Sequence, residues 1–79
     1  MRLIEGNETM IDSLASYRDL CRRNPTTEIG TSLFAQALVA RHFGHINTDL
    51  PSHNRLLEKV YLKYENQHVD GRQALRLLK

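Results

Sequence analysis

The sequence predicts an all-α protein, a compact array of three to four short helices preceded by a short extended N-terminal arm. Three observations carry that expectation. Apolar residues recur at steps of three and four in separate stretches. Proline, glycine or polar residues stand between one stretch and the next. Residue pairs with the spacing of a capping box, Thr9 with Asp12 and Asp70 with Gln73, sit where helices should open. No longer period recurs, so neither a structural repeat nor a coiled-coil seam is expected. The 79 residues form one small domain, with an arm over 1–9 and a helical core over 10–79. A chain of this size buries only about 60–65% of its extended-chain surface, so its stability should be modest.

Met1 to Gly6 is too short to separate strand from irregular arm. The first helix is expected over 10–23, with Met10, Ile11, Leu14, Tyr17, Leu20 and Cys21 on its apolar side. Arg22 and Arg23 complement the carbonyls of its last turn. Asn24-Pro25 ends it, because proline restricts its predecessor and has no N–H to donate. The second helix is expected over 28–43, capped by Thr26 or Thr27, although Gly30 also allows a start near Thr31. Ala35, Leu38, Val39, His42, Phe43 and Ile46 share one of its faces, and Leu33, Phe34, Ala37 and Ala40 widen the apolar arc. It is therefore expected to be central. Gly44 suits a left-handed terminator.

The third helix is expected over 52–65, opened by Asp49 or Ser52 with Pro51 in its first turn. Asn66-Gln67-His68 then breaks the chain. A fourth helix is expected over 71–78, with Asp70 as cap, Val69 against Ala74 as a hydrophobic staple, and Ala74, Leu75, Leu77 and Leu78 facing inward.

Composition narrows the functional classes. The single cysteine, Cys21, cannot form an internal disulfide and lies on an apolar stripe, where a thiol acts as a small hydrophobe. There is no apolar run of membrane-spanning length, and the N-terminal stretch does not read as a secretory signal, so a cytoplasmic location is expected. The acids are scattered, the glycines are widely separated, and Ser13 and Ser16 have no activating partner. An enzyme is not expected, nor is any cofactor. His42, His45 and His53 with Cys21 could be drawn as a zinc site, but the sequence has neither CxxC nor HExxH, and packing histidines are the simpler expectation.

The net charge of +2 is uneven: residues 51–79 hold six basic and three acidic side chains. Arg55, Lys59 and Lys63 recur every four residues beside the apolar stripe of Leu56, Leu57, Val60, Tyr61 and Tyr64. Arg72 and Arg76 rim the last helix. A small regulatory protein, adaptor or inhibitor acting through protein–protein contact follows, with Arg55, Lys59, Lys63, Arg72, Arg76, Tyr61 and Tyr64 as candidate interaction residues. Its partner would be another protein, a second copy of itself or both, and self-association is expected from the small size and from apolar stripes broader than one neighbouring helix covers. The alternative is a DNA-binding regulator using the basic face of helix 52–65. The four-residue offset of Ala40 and Gly44 suits a helix-turn-helix, while the long connector and Glu58 and Glu65 oppose it.

Overall fold

A computed structural model describes residues 14–79. The expected arm over 1–9, the Thr9–Asp12 box and the turn bearing Met10 and Ile11 lie outside the described residues. The described chain runs α1 (Leu14–Arg23), β1 (Glu28–Ile29), α2 (Thr31–Phe43), α3 (Pro51–Tyr64), β2 (Val69–Asp70) and α4 (Gly71–Leu77). The architecture is all-α, as expected, with one minimal antiparallel pairing of β1 and β2 added to it.

That pairing corrects one boundary. Glu28 and Ile29 were expected in the first turn of the second helix. They are extended instead, opposite Asp70 and Val69 respectively. Gly30 explains the shift: it sits in the extended region as the N-cap of α2 and leaves the helix to start at Thr31. Neither threonine caps α2; Thr27 instead accepts a hydrogen bond from the Gly71 N–H through its carbonyl, at 3.2 Å. A second correction concerns α3, whose N-cap is Leu50 without a side-chain bond, rather than Asp49 or Ser52. Pro51 occupies the first turn as expected, and the preceding loop is held by Asn47 and Asn54. The Asp49 N–H donates to Asn47 Oδ1 at 3.0 Å, and Asn54 Nδ2 donates to the Thr48 carbonyl.

A third correction is Leu77, expected to face inward on the last helix and instead exposed, because it falls on the side of α4 turned away from the seam with α1; the remaining boundary signals act as expected. Asn24 closes α1, donating from its backbone to the Leu20 carbonyl at 3.1 Å. Gly44 adopts φ 83°, the left-handed cap that glycine takes without Cβ strain. The Asp70 carboxylate accepts from the Gln73 N–H at 2.7 Å and opens α4.

The chain is thus two helix–strand–helix halves joined through their strands. Their helices pair across the halves, α2 with α3 and α1 with α4. α2 is central. On one side, Phe34 and Ala37 join Tyr17, Cys21, Ile29, Val69, Ala74 and Leu78; on the other, Ala35 and Val39 meet Leu57, with Phe43, Ile46, Leu56, Val60 and Tyr61 around them. His42 was expected on this core face and is exposed instead. α2 and α3 touch at both ends: the Thr31 hydroxyl donates to the Tyr64 carbonyl at 3.3 Å, and Phe43 stacks on His53 with centroids 3.9 Å apart. They are therefore an antiparallel hairpin, not the crossed pair of a helix-turn-helix.

α1 and the start of α4 meet tightly at Gly71. A Cβ on Gly71 would stand 2.5 Å from the Asn24 carbonyl oxygen and 2.8 Å from that of Cys21. Both obstacles are backbone, so they cannot swing aside. Gly71→Ala should cost about 1–3 kcal/mol, the usual range for overpacking, and lower the melting temperature accordingly. Gly30, with nothing within 4 Å of its Cβ position, provides the contrast. Gly30→Ser adds a cap acceptor and restricts the unfolded chain, so it should stabilise by about 0.5–1 kcal/mol. Thermal denaturation of both variants checks the pair; a neutral Gly71→Ala would refute the tight seam.

Candidate protein-interaction face

α3 is amphipathic. His53 and Leu57 are buried, and Leu56, Val60, Tyr61 and Tyr64 are half-buried on the side facing α2. Because successive residues turn by about 100°, Arg55, Glu58, Lys59 and Leu62 fall together on the opposite side. All four are exposed, and Lys63 flanks them. Leu62 is 63% exposed, the most open of the large apolar residues among those described. It lies three residues from Lys59 and four from Glu58. The face therefore carries one exposed leucine toward its C-terminal end, with Arg55 and Lys59 on it, Lys63 at one edge, and two carboxylates, Glu58 and Glu65, four residues before and three residues after Leu62.

The expected interaction residues separate into three groups. Arg55, Lys59 and Lys63 share the α3 face. Arg72 and Arg76 are exposed on α4, which pairs with α1 rather than with α3. Tyr61 and Tyr64 are engaged in packing. Tyr64 meets Phe34 edge-on with centroids 5.0 Å apart, and Tyr61 lies against the cluster around Leu57. Lys63 Nζ sits 5.5 Å from the Tyr64 ring centroid, a cation–π contact that holds the lysine at the edge of the face. Leu62 was absent from the candidates, although its position three and four residues from Lys59 and Glu58 was available as a signal.

The histidines divide by burial. His53 is 5% exposed, stacked on Phe43, and its Nδ1 accepts the Asn47 N–H at 3.0 Å. That acceptor role places the proton of the neutral ring on Nε2. His45 lies edge-on to His53 at 5.5 Å. Among the described residues, no group of three or more His, Cys, Asp or Glu is gathered closely enough to hold a metal ion. A calcium-binding helix–loop–helix needs oxygen ligands at alternate loop positions. Here Glu28 of β1 and His68, just before β2, instead pair with each other, at 3.1 Å on the surface.

Cys21 is buried beside Tyr17. Burial pushes the thiol above its ordinary value, partly offset by the Tyr17 hydroxyl, and burial likewise raises Tyr17. Such a thiol is a poor nucleophile. Among the described residues, no helix is long and apolar enough to cross a membrane. Comparison with protein-family models, curated proteins and solved structures finds no match.

The raised acids make stability depend on alkaline pH. Each group is neutral in the folded chain over a range where the unfolded chain has already ionised. Their contribution is complete below the unfolded value, near 9.0 for cysteine, and declines as pH rises above it. Denaturant midpoints measured from pH 7 to pH 10 should therefore fall, and Cys21→Ala should flatten the first part of that fall. Native Cys21 should also resist a thiol reagent that labels the unfolded chain; equal labelling rates would contradict its burial.

Proposed function

We propose that this chain is a small non-enzymatic adaptor or inhibitor that captures an acidic protein on the outer face of α3. The observation carrying the proposal is Leu62, exposed on a helix face where Arg55, Lys59 and Lys63 are interspersed with Glu58 and Glu65. Protein interfaces combine an apolar centre with a charged rim, whereas a phosphate-binding face gains nothing from an exposed leucine. Arg55 offers a bidentate fork to a carboxylate; Lys59 and Lys63 offer point charges. Glu58 adds a selective element, since a partner must place a cation or a gap against it. A face on one helix makes a small interface, which suits a transient complex.

The partner fits a different protein better than a second copy. Two α3 faces brought together would oppose three cations with three, a repulsion that Glu58 and Glu65 of each copy offset only in part. In this proposal the chain works in the cytoplasm, where a lone thiol such as Cys21 stays reduced.

The test uses two variants of exposed residues, Leu62→Ala and the triple change of Arg55, Lys59 and Lys63 to Gln. Capture of a protein from nuclease-treated extract should weaken at least about tenfold in each, or about 1.4 kcal/mol. Circular dichroism should stay unchanged. Sedimentation equilibrium detects the second-copy case, as a dimer that Leu62→Ala dissolves. Duplex DNA binding lost in the triple variant but indifferent to Leu62→Ala would replace the proposal with the DNA-binding one.

A further inference from the structure

The strongest unassigned charge lies on the other helix pair. α1 and α4 together hold five arginines, Arg18, Arg22, Arg23, Arg72 and Arg76, against one acid, Asp19. That acid is occupied by Arg23, its carboxylate 2.7 Å from the guanidinium. Arg22, Arg72 and Arg76 are exposed and Arg18 is half-buried, and none makes a side-chain hydrogen bond or ion pair with a described residue.

The fold brings these four side chains to one surface. α1 ends where α4 begins, with the Cys21 and Asn24 carbonyls against Gly71, so the two helices run antiparallel. Tyr17 on α1 and Ala74 on α4 face the shared core. Going round each helix from the core, Cys21 and Leu14 come next on α1, and Leu78, Gly71 and Leu75 on α4. These residues line the seam between the two helices. One step further round come Arg18 and Arg22 on α1, and Arg72 and Arg76 on α4. Because the helices are antiparallel, both steps lead to the same outer side. Four-residue spacing separates each pair by about 6 Å along its helix. The helices lie about 8–10 Å apart.

We infer that this arginine quartet, Arg18, Arg22, Arg72 and Arg76, is a binding site for the phosphate backbone of a nucleic acid. Its composition separates it from the α3 face. Its four cations are all arginines; the one acid beside them on α1, Asp19, is paired with Arg23, Leu75 is half-buried in the seam, and the exposed Leu77 of α4 lies about 100° round the helix from Arg76. A protein partner would find no apolar centre there, and a membrane would find nothing to insert. Planar guanidinium forks match phosphate oxygens two at a time. The quartet grips backbone without sequence preference, since guanidinium–phosphate contacts carry no base information and neither α1 nor α4 exposes an aromatic ring. The inference is independent of the proposed role of α3. Both together would make the chain a bridge between an acidic protein and a nucleic acid.

The experiment measures binding of the whole chain to a fluorescent 20-nucleotide DNA, as duplex and as single strand, across a salt series. Four phosphate contacts imply a log–log slope of about −3 to −4, so affinity should fall about 100-fold between 50 and 200 mM salt. Changing the four arginines to Gln should abolish binding at 150 mM salt, and changing them to Lys should restore it in part. The triple change Arg55, Lys59 and Lys63 to Gln should weaken it less than threefold. A variant restricted to Arg22, Arg72 and Arg76 guards against a folding effect at half-buried Arg18, and its circular dichroism should match the wild type. Wild-type chain that ignores both DNA forms at 50 mM salt would overturn the inference. So would binding lost with the α3 residues and kept without the quartet, or equal affinity for poly-glutamate or phosphatidylserine vesicles.

Discussion

Everything in this fold hangs on a short stretch where the two halves meet edge to edge. Ile29 lies opposite Val69, and both side chains enter the larger core cluster. Beyond them the chain continues to pair without regular strand geometry: Gly71 donates to Thr27 at 3.2 Å and Arg72 to Pro25 at 3.0 Å. The contact thus runs from Pro25 to Ile29 on one side and from Val69 to Arg72 on the other. An isolated two-residue pairing would be unstable in water. It persists here because each strand is clamped between two helices whose apolar faces close over it, and because Gly71 has no Cβ to push the halves apart. Once that join is set, α4 must lie against α1, and α2 must fill the space between the two pairs.

The charge distribution follows from this pairing rather than from local sequence. Helices adjacent in the chain, α1 and α2 or α3 and α4, do not share their cationic surfaces. The join places α4 beside α1, and arginines some fifty residues apart in sequence come to one side. It leaves α3 on the far side of α2, with its own mixture of lysine, arginine, glutamate and one open leucine. Two basic surfaces result, and they differ in kind: one is uniformly arginine, the other is amphipathic. Arg41 belongs to neither. Its guanidinium donates to the Leu77 carbonyl at 3.3 Å, a cation answering the negative end of α4.

Much of the fold was legible because helices announce themselves twice, by apolar period and by punctuation. Pro25, Gly44, Pro51 and Asp70 each act at the boundary where their backbone or side-chain chemistry places them. The strands were not legible, since two residues cannot display an alternating pattern. Their only trace was Gly30, which weakened the start of the second helix without saying what replaced it. The basic stripe Arg55, Lys59, Lys63 was legible from spacing alone. Which of its neighbours stayed open was not. Tyr61, Tyr64 and Leu62 are consecutive or nearly so on one helix, and a broad apolar arc does not reveal which edge the partner helix covers. Here α2 covers the tyrosines and leaves the leucine. The arginine quartet was invisible for a stronger reason, since only the antiparallel join creates it.

The same join also sets a local cost. α2 is enclosed on nearly every side, and its Gln36 is fully buried with neither amide atom hydrogen-bonded to a described residue. Gln36 and Ala40 fall between the two core clusters rather than inside either. A buried amide without partners costs about 1–3 kcal/mol, and small domains have only about 5–15 kcal/mol of net stability to lose. Polarity and burial therefore conflict at this one position of the central helix, and a methionine of similar length would remove the conflict by leaving no amide to satisfy. A chain with so thin a margin gains appreciably from any partner that binds only its folded form, since each such partner shifts the folding equilibrium by mass action. A partner bound to either cationic face of the folded chain would in this way add to the stability of a core interrupted at Gln36.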